Sequence, residues 1–551
     1  MKNTMLLIFA AIAFALDTAN AETIYVNSQY EFDALVKNIE ATVKGGADIV
    51  NVEIAKGTFY FRNRQIELSN HQWDSVFINI HGNETLLAPY DTALRDTSLP
   101  SPLQQTDRLI EITDENKKLC RLHLTDTPPA IDNELEEMRI TITQWFKSIT
   151  YKVERISEEW VYFTAGDLSY NDSYKCHNVN LDYGYSLRKN GSGIMPRYRL
   201  ESDRNSRGEA CRLLSINGCT LGSFTLSGVS VQGNKDTTAD YLVYINNSYA
   251  DSITLHNCHF QGIRSSVIQA QGCSNLRVSN NTFQDCYRGG LFANYSEGTV
   301  IVNNEFVNMG LACNNNYCIR VSGKNYYVAH NRLVDFGYGG IAVGTWWKAY
   351  KRMEEVGVVE HNTLCYSAPY FVNIAKRGLM DSGAIYIYTQ NDDVEVRYNF
   401  IHDYTGMCDN RGIFCDDGAC HFQLYGNVIV NTPNGYSIDS RYTPNVVKDP
   451  QSKTQVINTD NHIYDNVIDG GLRFEGREEE SDCTLGENIV LTHKKRDTPT
   501  NILKNLSSQR SPKSAAYKGV ENETIIVPAA TMQRIAKLNS HKEMLHHFKT
   551  R

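Results

Sequence analysis

An asparagine recurs at turn positions through the middle of the chain, and this repeat restricts the folds open to it. A short run rich in β-branched or aromatic residues precedes each asparagine, and an apolar residue follows two places later. The series lies 23 to 39 residues apart and comprises Asn281, Asn304, Asn331, Asn362, Asn399, Asn427 and Asn466, with Asn257 as an off-by-one relative. A basic period in the low twenties with variable insertions is typical of a solenoid. No helical stretch intervenes, which excludes leucine-rich and helical repeats.

A parallel β-helix explains this repeat, because each coil of such a fold supplies short strands to separate parallel sheets. Successive coils stack about 4.8 Å apart, and the inward residues form a continuous apolar core. Asn tolerates the left-handed backbone conformation of a tight turn, and stacked Asn side chains can hydrogen-bond from coil to coil. We therefore assign the repeated asparagines a structural role and not a catalytic one.

The N-terminus has the pattern of an export signal. Lys2 forms a short basic region, an apolar run follows from Met5 to Leu16, and Ala19-Asn20-Ala21 fits the small-residue cleavage rule. This predicts a signal peptide over residues 1–21 and a mature chain that starts at Glu22. The apolar run is too short for a membrane anchor, and no later segment is long enough. We expect a periplasmic or secreted protein without a membrane span.

The rest of the chain divides into four predicted parts. Residues 22–90 form an N-terminal cap and the first coils, where an amphipathic helical pattern places Phe32, Leu35, Val36 and Ile39 on one face. Residues 91–212 show period-two alternation, which predicts an inserted antiparallel β-domain. Residues 213–475 form the β-helix with its active-site cleft, and the polar, basic residues 476–551 form a tail or a second cap.

Composition excludes one class of partner and favours another. The net charge of −9 is mild, and no basic patch interleaved with aromatics is present, so the sequence does not favour nucleic acid. Tyr is frequent, at 32 residues, and exposed Tyr suits carbohydrate surfaces. Nothing in the sequence indicates an oligomeric state.

Fourteen cysteines in an exported chain permit disulfides. Candidates that lie close in sequence are Cys313 with Cys318, and the group Cys408, Cys415 and Cys420. For Cys258, Cys286 and Cys365 we expect buried free thiols. None of the cysteines has zinc-site spacing.

Aligning the coils on their asparagines predicts which side chains face outward. Ile385 and Ile413 are taken as inward, so Ile387 and Cys415 are inward as well, and Asp416 faces out. If Ile438 is inward in the next coil, this register places Asp439 directly over Asp416. Two stacked carboxylates repel, so they are unfavourable unless they bind or react with something.

A carboxylate pair is the machinery of glycoside hydrolysis, in which one acid protonates the leaving oxygen and one carboxylate attacks or activates water. Asp381, which aligns with Asp409 at a turn beside the cleft, is a third candidate. Turn capping is the alternative for Asp381 and Asp409, and a calcium site is the alternative for Asp416, Asp417 and Asp439. No other metal or cofactor is expected.

The same register identifies residues that would bind a sugar. Aromatic faces stack on sugar rings, and an arginine can hold a carboxylate ionised or bind an acidic sugar. A histidine in NFIHDYTG could shuttle a proton, although a turn histidine bonded to the backbone is the simpler interpretation. The predicted substrate-binding residues are Tyr386, Tyr388, Arg320, Arg441, His402, Asp417, Trp346 and Trp347.

The motifs DSGAIYIY, NFIHDYTG, GIFCDDGA and GYSIDSR resemble those of the right-handed parallel β-helix glycoside hydrolases. The resemblance covers roughly residues 22–475 and includes β-xylosidases and enzymes acting on fucosyl or xylosyl linkages of plant polysaccharides. In the β-xylosidase branch it implies that Asp416 and Asp439 are the catalytic pair, although the second residue there is Glu. In the other branch it implies Asp381 and Asp416. The fold hosts several chemistries.

Two other functions stay open on the sequence. A polysaccharide lyase acting on uronic-acid glycans would recruit Lys376, Arg377 or Arg320 as base or as carboxylate-neutralising group. A non-catalytic glycan-binding β-helix would use the acids to bind Ca²⁺ or hydroxyls.

Overall fold

The chain forms three parallel sheets in which each strand pairs with the strand one coil earlier and the strand one coil later. A computed structural model of the protein describes residues 20–69, 73–90, 104–105, 111–114, 119–124, 138–144, 147–164, 168–171, 176–179, 197–202, 212–233, 241–311, 316–344, 355–367, 382–404, 410–432, 436–440, 461–474 and 484–490. Every strand pairing between coils is parallel, so the fold is the predicted right-handed parallel β-helix.

The strands of each sheet are as follows. The first sheet contains Ile66–Ser69, Leu214–Asn217, Tyr241–Asn246, Ser266–Gln271, Leu291–Glu297, Tyr317–Ala329, Gly339–Val343, Ser382–Arg397, Asn410–Tyr425, Tyr436–Ser440 and Gly471–Phe474. The second contains Ala21–Val26, Ile49–Ile54, Phe77–Pro89, Thr220–Gln232, Tyr249–His256, Leu276–Ser279, Val300–Val302, Val356–Glu360, His462–Tyr464 and Thr484–Leu485, together with the second halves of the three long first-sheet strands. The third contains Gly57–Phe61, His259–Gln261, Thr282–Cys286, Glu305–Met309, Arg332–Phe336, Thr363–Cys365, Phe400–His402, Val428–Val430, Val467–Ile468 and Ile489–Val490, and the ends of Phe77–Pro89 and Thr220–Gln232.

Apolar side chains of the three sheets meet in one continuous core. In the first sheet Ile341, Ile385, Ile413 and Ile438 stack in register and are fully buried, as the inward assignment of Ile385 and Ile413 predicts. In the third sheet the rings of Phe260, Phe283 and Phe306 stack with centroids 5.1 and 4.5 Å apart. Identical residues at one position of successive coils therefore pack face to face.

The predicted asparagine ladder is present and runs through the turn between the second and third sheets. Each ladder Asn donates its backbone N–H and its Nδ2 to the Oδ1 of the Asn one coil later, at 2.9 to 3.1 Å, from Asn281 to Asn488. The left-handed conformation belongs to the residue before the ladder position, for example Asn280, Asn303 and Tyr398, and not to the ladder Asn as predicted. Asn257 is one of these preceding residues, so Cys258 occupies the ladder position and donates its N–H to Asn281.

The N-terminal cap has the predicted apolar helical face. Helix α1 spans Gln29–Asp33 and helix α2 spans Leu35–Lys44, and Ser28 caps α1 by accepting the Glu31 N–H. Phe32, Leu35 and Ile39 are fully buried, and Val36 packs against the same core. The helices therefore cover the amino-terminal end of the solenoid core.

A separate antiparallel sheet interrupts the solenoid, as the alternating pattern predicts. Its strand order is Gln104–Gln105, Arg197–Ser202, Met138–Gln144, Lys147–Ser157, Trp160–Thr164, Leu119–His123 and Glu111–Asp114, and Leu168–Asn171 pairs with Cys176–Val179. This sheet has its own apolar core. Parallel pairing resumes where Leu214 aligns with Ile66, so the antiparallel segment is inserted between two stacked coils. The limits 91 and 212 stay predictions.

Stacked strands continue past residue 475, where the β-helix was predicted to end. Thr484–Leu485 and Ile489–Val490 pair with the preceding coil, and Asn488 extends the ladder. The predicted tail or cap helix beyond residue 490 lies outside the described residues, as does the predicted signal peptide up to residue 19.

The nine cysteines whose side chains the structure describes are free. Cys258, Cys286 and Cys365 are buried thiols as expected. Cys318, Cys415 and Cys420 are also free and buried, so the disulfides considered for them are wrong. Cys313 and Cys408 lie outside the described residues. Within the ranges given above, no helix is long and apolar enough to span a membrane.

Candidate active site on the first sheet

A column of outward side chains runs along the first sheet, one residue from each coil. Arg320 and Tyr386 both belong to it, as predicted. The column comprises Tyr244, Gln269, Phe292, Arg320, Ala342, Tyr386, Phe414, Asp439 and Arg473, and is called the site column below. Tyr386, Phe414 and Asp439 of the column are buried, and Arg473 at its end is partly exposed.

Asp416 lies two residues beyond the site column and is bonded to it. Its Oδ2 accepts a hydrogen bond of 2.6 Å from the Tyr386 hydroxyl, and its side chain is buried. Tyr388 is the partner of Asp416 one coil earlier, as predicted, although the Tyr388 side chain lies outside the described residues. Tyr386 therefore fixes the position of one oxygen of the Asp416 side chain.

Asp439 does not stack on Asp416, which corrects the predicted register. Ile438 is inward as assumed, but it pairs with Ile413 and not with Cys415, so Asp439 pairs with Phe414. The two aspartates are therefore diagonal neighbours, offset by one coil and two residues. From the strand spacing and the rise per residue, their Cα atoms are about 8 Å apart.

Two arginines hold the Asp439 carboxylate. Arg411 donates from Nε to Oδ2 at 2.5 Å, and Arg473 donates from Nε to Oδ1 at 2.6 Å and from a second nitrogen to Oδ2. Asp439 and Arg411 are fully buried, and Arg473 is a quarter exposed. The Arg411 guanidinium also lies 3.8 Å from the Phe414 ring centroid. The calcium alternative for Asp439 competes with these contacts, because both carboxylate oxygens already accept bonds from guanidinium groups.

Sequence reasoning missed Arg411 because the first-sheet strand does not alternate strictly. By period two from Ile413, Arg411 would face the core. Gly412 faces the core instead, because a Cβ atom built on Gly412 would lie only 2.4 Å from Cγ2 of the buried Ile429. Two successive residues therefore face inward, and Arg411 points out beside Phe414. Arg473 could have been found from the sequence, since it continues the column through Asp439.

The electrostatic field of the site acts on the neighbouring thiol. Burial raises the pKa of Cys415 far above its ordinary value, and the negative charges of Asp439 and Asp416 raise it further. Cys415 is therefore a neutral thiol that packs in the core beneath the two carboxylates. It is not a nucleophile.

His402 lies on the third sheet, away from the site column. It is part of the strand Phe400–His402, so the interpretation as a turn histidine bonded to the backbone is wrong. Its imidazole is buried, its Nδ1 is 2.9 Å from Asp403 Oδ2, and it is hydrogen-bonded to the thiol of Cys365, its partner one coil earlier. Burial alone would lower the pKa of His402, but Cys365 and Asp403 outweigh burial and raise it to about 10. The predicted proton shuttle is therefore replaced by a buried charged group.

The remaining predicted site residues belong to parts of the chain that the structure does not describe. Asp381, Trp346, Trp347, Arg441, Lys376 and Arg377 lie outside the described residues, as does the side chain of Asp417. Among the side chains that are described, no group of three or more His, Cys, Asp or Glu is arranged to hold a metal ion.

A match to a protein-family model supports the fold. Residues 180–346 match the family model described as a right handed beta helix region. No curated protein matches the chain. Among solved structures, a periplasmic alginate epimerase aligns at 12% identity over 86% of this chain and 85% of its own, with a TM-score of 0.36. The Gp54 tailspike of Acinetobacter baumannii bacteriophage AP22, solved with capsular saccharide, aligns at 10% identity over 86% of this chain and 78% of its own, with a TM-score of 0.15.

Proposed function

We propose that the protein is an exported glycoside hydrolase that cleaves a poly- or oligosaccharide on the outer face of the first sheet. The observation that carries the proposal is the buried Asp416 carboxylate, bonded at 2.6 Å to Tyr386 beside a column of aromatic and charged side chains. Buried carboxylates are rare unless they are paired or reactive, and such sites are candidates for catalysis.

The hydrogen bond assigns Asp416 a role. Because the Tyr386 phenol donates to Oδ2 and orients the side chain, we assign Asp416 the role of the carboxylate of the pair, either as nucleophile or as the base that activates water. The glycosidic C–O bond then breaks as a second acid donates its proton to the leaving oxygen, and water supplies the new hydroxyl. Asp381, directly before the strand that carries Tyr386, is the proposed acid.

Asp439 has a different role in this proposal. Both of its oxygens accept bonds from Arg411 and Arg473, so neither is directed to attack a sugar or to hold a transferable proton. Its ion pairs fix Arg411 against Phe414, next to Tyr386 in the site column. Asp439 is therefore a positioning residue, and the pair Asp416 and Asp381 is preferred over the pair Asp416 and Asp439.

The test is release of reducing sugar from a panel of plant and host glycans. Asp416→Asn should lower kcat by about a thousandfold or more, because it removes a group that reacts. Tyr386→Phe should lower it by roughly tenfold to a hundredfold, since the phenol no longer orients the carboxylate. Asp465→Asn, an exposed aspartate in a second-sheet turn, is the matched control. Full activity of Asp416→Asn would exclude the proposal.

A polysaccharide lyase is the second candidate, and one observation favours it. Arg473 places a partly exposed guanidinium in the site column, where it could neutralise the carboxylate of a uronic acid. The products separate the two mechanisms: elimination yields an unsaturated sugar that absorbs in the ultraviolet, and hydrolysis does not. The same glycan panel therefore decides between them. A non-catalytic glycan-binding protein would leave every glycan intact.

A further inference from the structure

A cysteine, a histidine and an aspartate adjoin one another on the outer face of the third sheet. Cys365 and His402 pair between successive coils, which are about 4.8 Å apart, so their side chains lie next to each other in one outward column. Asp403 follows His402 in the chain, and its Oδ2 lies 2.9 Å from the imidazole Nδ1. Asn431 donates from Nδ2 to the other oxygen of Asp403 at 2.9 Å. Cys365, His402 and Asp403 are called the cysteine cluster below.

The cluster has the order of groups that activates a thiol. A nucleophilic side chain lies beside an imidazole, and a carboxylate orients the imidazole from its other side. Burial lowers the pKa of His402, but the Cys365 sulfur and the Asp403 carboxylate outweigh burial and raise this pKa to about 10. His402 is therefore an imidazolium at neutral pH. A positive charge beside a cysteine favours the thiolate, which is the nucleophilic form.

Two other cysteines are buried to the same degree in a different environment. Cys258 is 3% exposed and Cys286 is 0% exposed, against 2% for Cys365. Both donate their S–H groups to backbone carbonyl oxygens. Burial raises the pKa of Cys258 to about 11 and that of Cys286 to about 12. These two thiols therefore show what burial does to a cysteine of this protein without an imidazolium at the sulfur.

The cluster meets solvent at Asp403. The Asp403 side chain is 31% exposed, whereas that of His402 is 7% exposed and the Phe400 ring covers the imidazole at a centroid distance of 4.5 Å. A reagent that reaches the sulfur has to be small, and it passes a carboxylate that repels anions. A small neutral electrophile such as hydrogen peroxide meets both conditions.

We propose that Cys365 is a modification site, which a hydroperoxide oxidises to a sulfenic acid with His402 as the proton donor. Once the thiol has lost its proton, the sulfur attacks one oxygen of the peroxide, and the S–O bond forms as the O–O bond breaks. The sulfur gives up two electrons to the peroxide, and the leaving hydroxide takes a proton from the His402 imidazolium and departs as water. The cluster lies on the third sheet and not on the first, so the proposal goes beyond the proposed function and does not depend on it.

The experiment measures sulfenic acid formation in the reduced full-length protein. The protein is treated with hydrogen peroxide at pH 7 for timed intervals in the presence of dimedone, which traps sulfenic acids, and the labelled fraction of each cysteine is measured by peptide mass spectrometry. We expect Cys365 to be labelled about tenfold or more faster than Cys258 and Cys286, since the three are equally buried and differ in the charge beside the sulfur.

Two variants separate the charge of His402 from the packing around it. His402→Gln removes the imidazolium and should bring the Cys365 rate to within about twofold of the rates of Cys258 and Cys286. Asp403→Asn keeps the imidazole and changes a partly exposed side chain, so it should lower the Cys365 rate by a smaller factor, about two- to fivefold. A variant that loosens the fold would raise the labelling of all three cysteines together, whereas loss of the imidazolium lowers that of Cys365 alone.

Two results would overturn the proposal. One is labelling of Cys365 no faster than that of Cys258 and Cys286 in the wild type. The other is an unchanged ratio of the three rates in His402→Gln. Cleavage of glycans is measured in separate samples and tests Asp416, so the hydrolase and the modification site stand or fall independently.

Discussion

Two buried charges of the solenoid, Asp439 and His402, are held by side chains from another coil or from the next residue. Asp439 is bonded to Arg411 and Arg473, and His402 is bonded to Asp403 and to the thiol of Cys365. A buried ion pair adds little net stability compared with an apolar pair, but removing one partner leaves a charge without compensation. Single substitutions at these residues should therefore lower the free energy of unfolding much more than substitutions in exposed ion pairs.

For His402 this leads to a prediction about pH. Its folded pKa of about 10 lies above the ordinary value of 6.5, so the ionised imidazole contributes its full stability below pH 6.5 and loses it as the pH rises through 10. A pKa difference of one corresponds to about 1.4 kcal/mol, so the loss is on the order of a few kcal/mol. Urea unfolding of the wild type and of His402→Gln from pH 6 to 10 measures it. The difference in unfolding free energy should narrow as the pH rises, and a constant difference would contradict a charged His402.

At the scale of the structural element, the asparagine ladder couples neighbouring coils. Asn362 accepts from the backbone N–H and Nδ2 of Asn331, and donates to Val328 O and to Asn399 Oδ1. All of these groups are buried. Removing the amide leaves the Asn331 N–H without its acceptor and Val328 O without this donor, whereas Asn331 Nδ2 keeps its bond to Ile301 O and Asn399 Oδ1 keeps its bond from the Asn362 N–H. A buried polar group that loses its partner costs about 1 to 3 kcal/mol.

Asn362→Ala should therefore lower the unfolding free energy by about 2 to 4 kcal/mol, because it removes buried hydrogen bonds to both neighbouring coils. Asn246→Ala is the matched control. Asn246 is a partly exposed amide with one amide-to-amide bond of 2.9 Å to Asn217, and its replacement should cost less than about 1 kcal/mol, because water replaces the lost partner. Equal losses in the two variants in urea unfolding would show that the ladder adds nothing beyond a surface amide bond.

The ladder was open to prediction from the sequence, and the position of Asp439 was not. An Asn with apolar neighbours at a repeating turn satisfies backbone groups in every coil, so its pattern persists through insertions. The stacking of Asp439 depends on where within a coil the extra residues lie. Phe414 and Asp439, which pair between coils, are 25 residues apart in the sequence. The ladder positions of the same two coils, Asn427 and Asn466, are 39 residues apart. Arg411 was hidden for a related reason, the inward Gly412 that breaks strand alternation.

At the scale of the whole molecule, the solenoid is a one-dimensional stack, because each coil contacts only its neighbours. In such a fold, stability is a sum of coil and interface contributions, and the ends open before the middle. Helices α1 and α2 close the amino-terminal end through Phe32, Leu35 and Ile39. The site column near Asp416 lies many coils away, so the cap and the site should respond independently to substitution.

Substitution in the cap should therefore loosen the amino-terminal coils and leave the site intact. Ile39→Ala removes a fully buried side chain, which typically costs 2 to about 5 kcal/mol in a packed core. Hydrogen exchange should show the opening free energy falling by about this amount in Ala21–Val26 and Ile49–Ile54, with no change in Asn410–Tyr425. Lys37→Ala, on the exposed face of α2, should leave both regions unchanged. A uniform fall in protection along the chain would mean that the solenoid unfolds as one cooperative unit and not from its end.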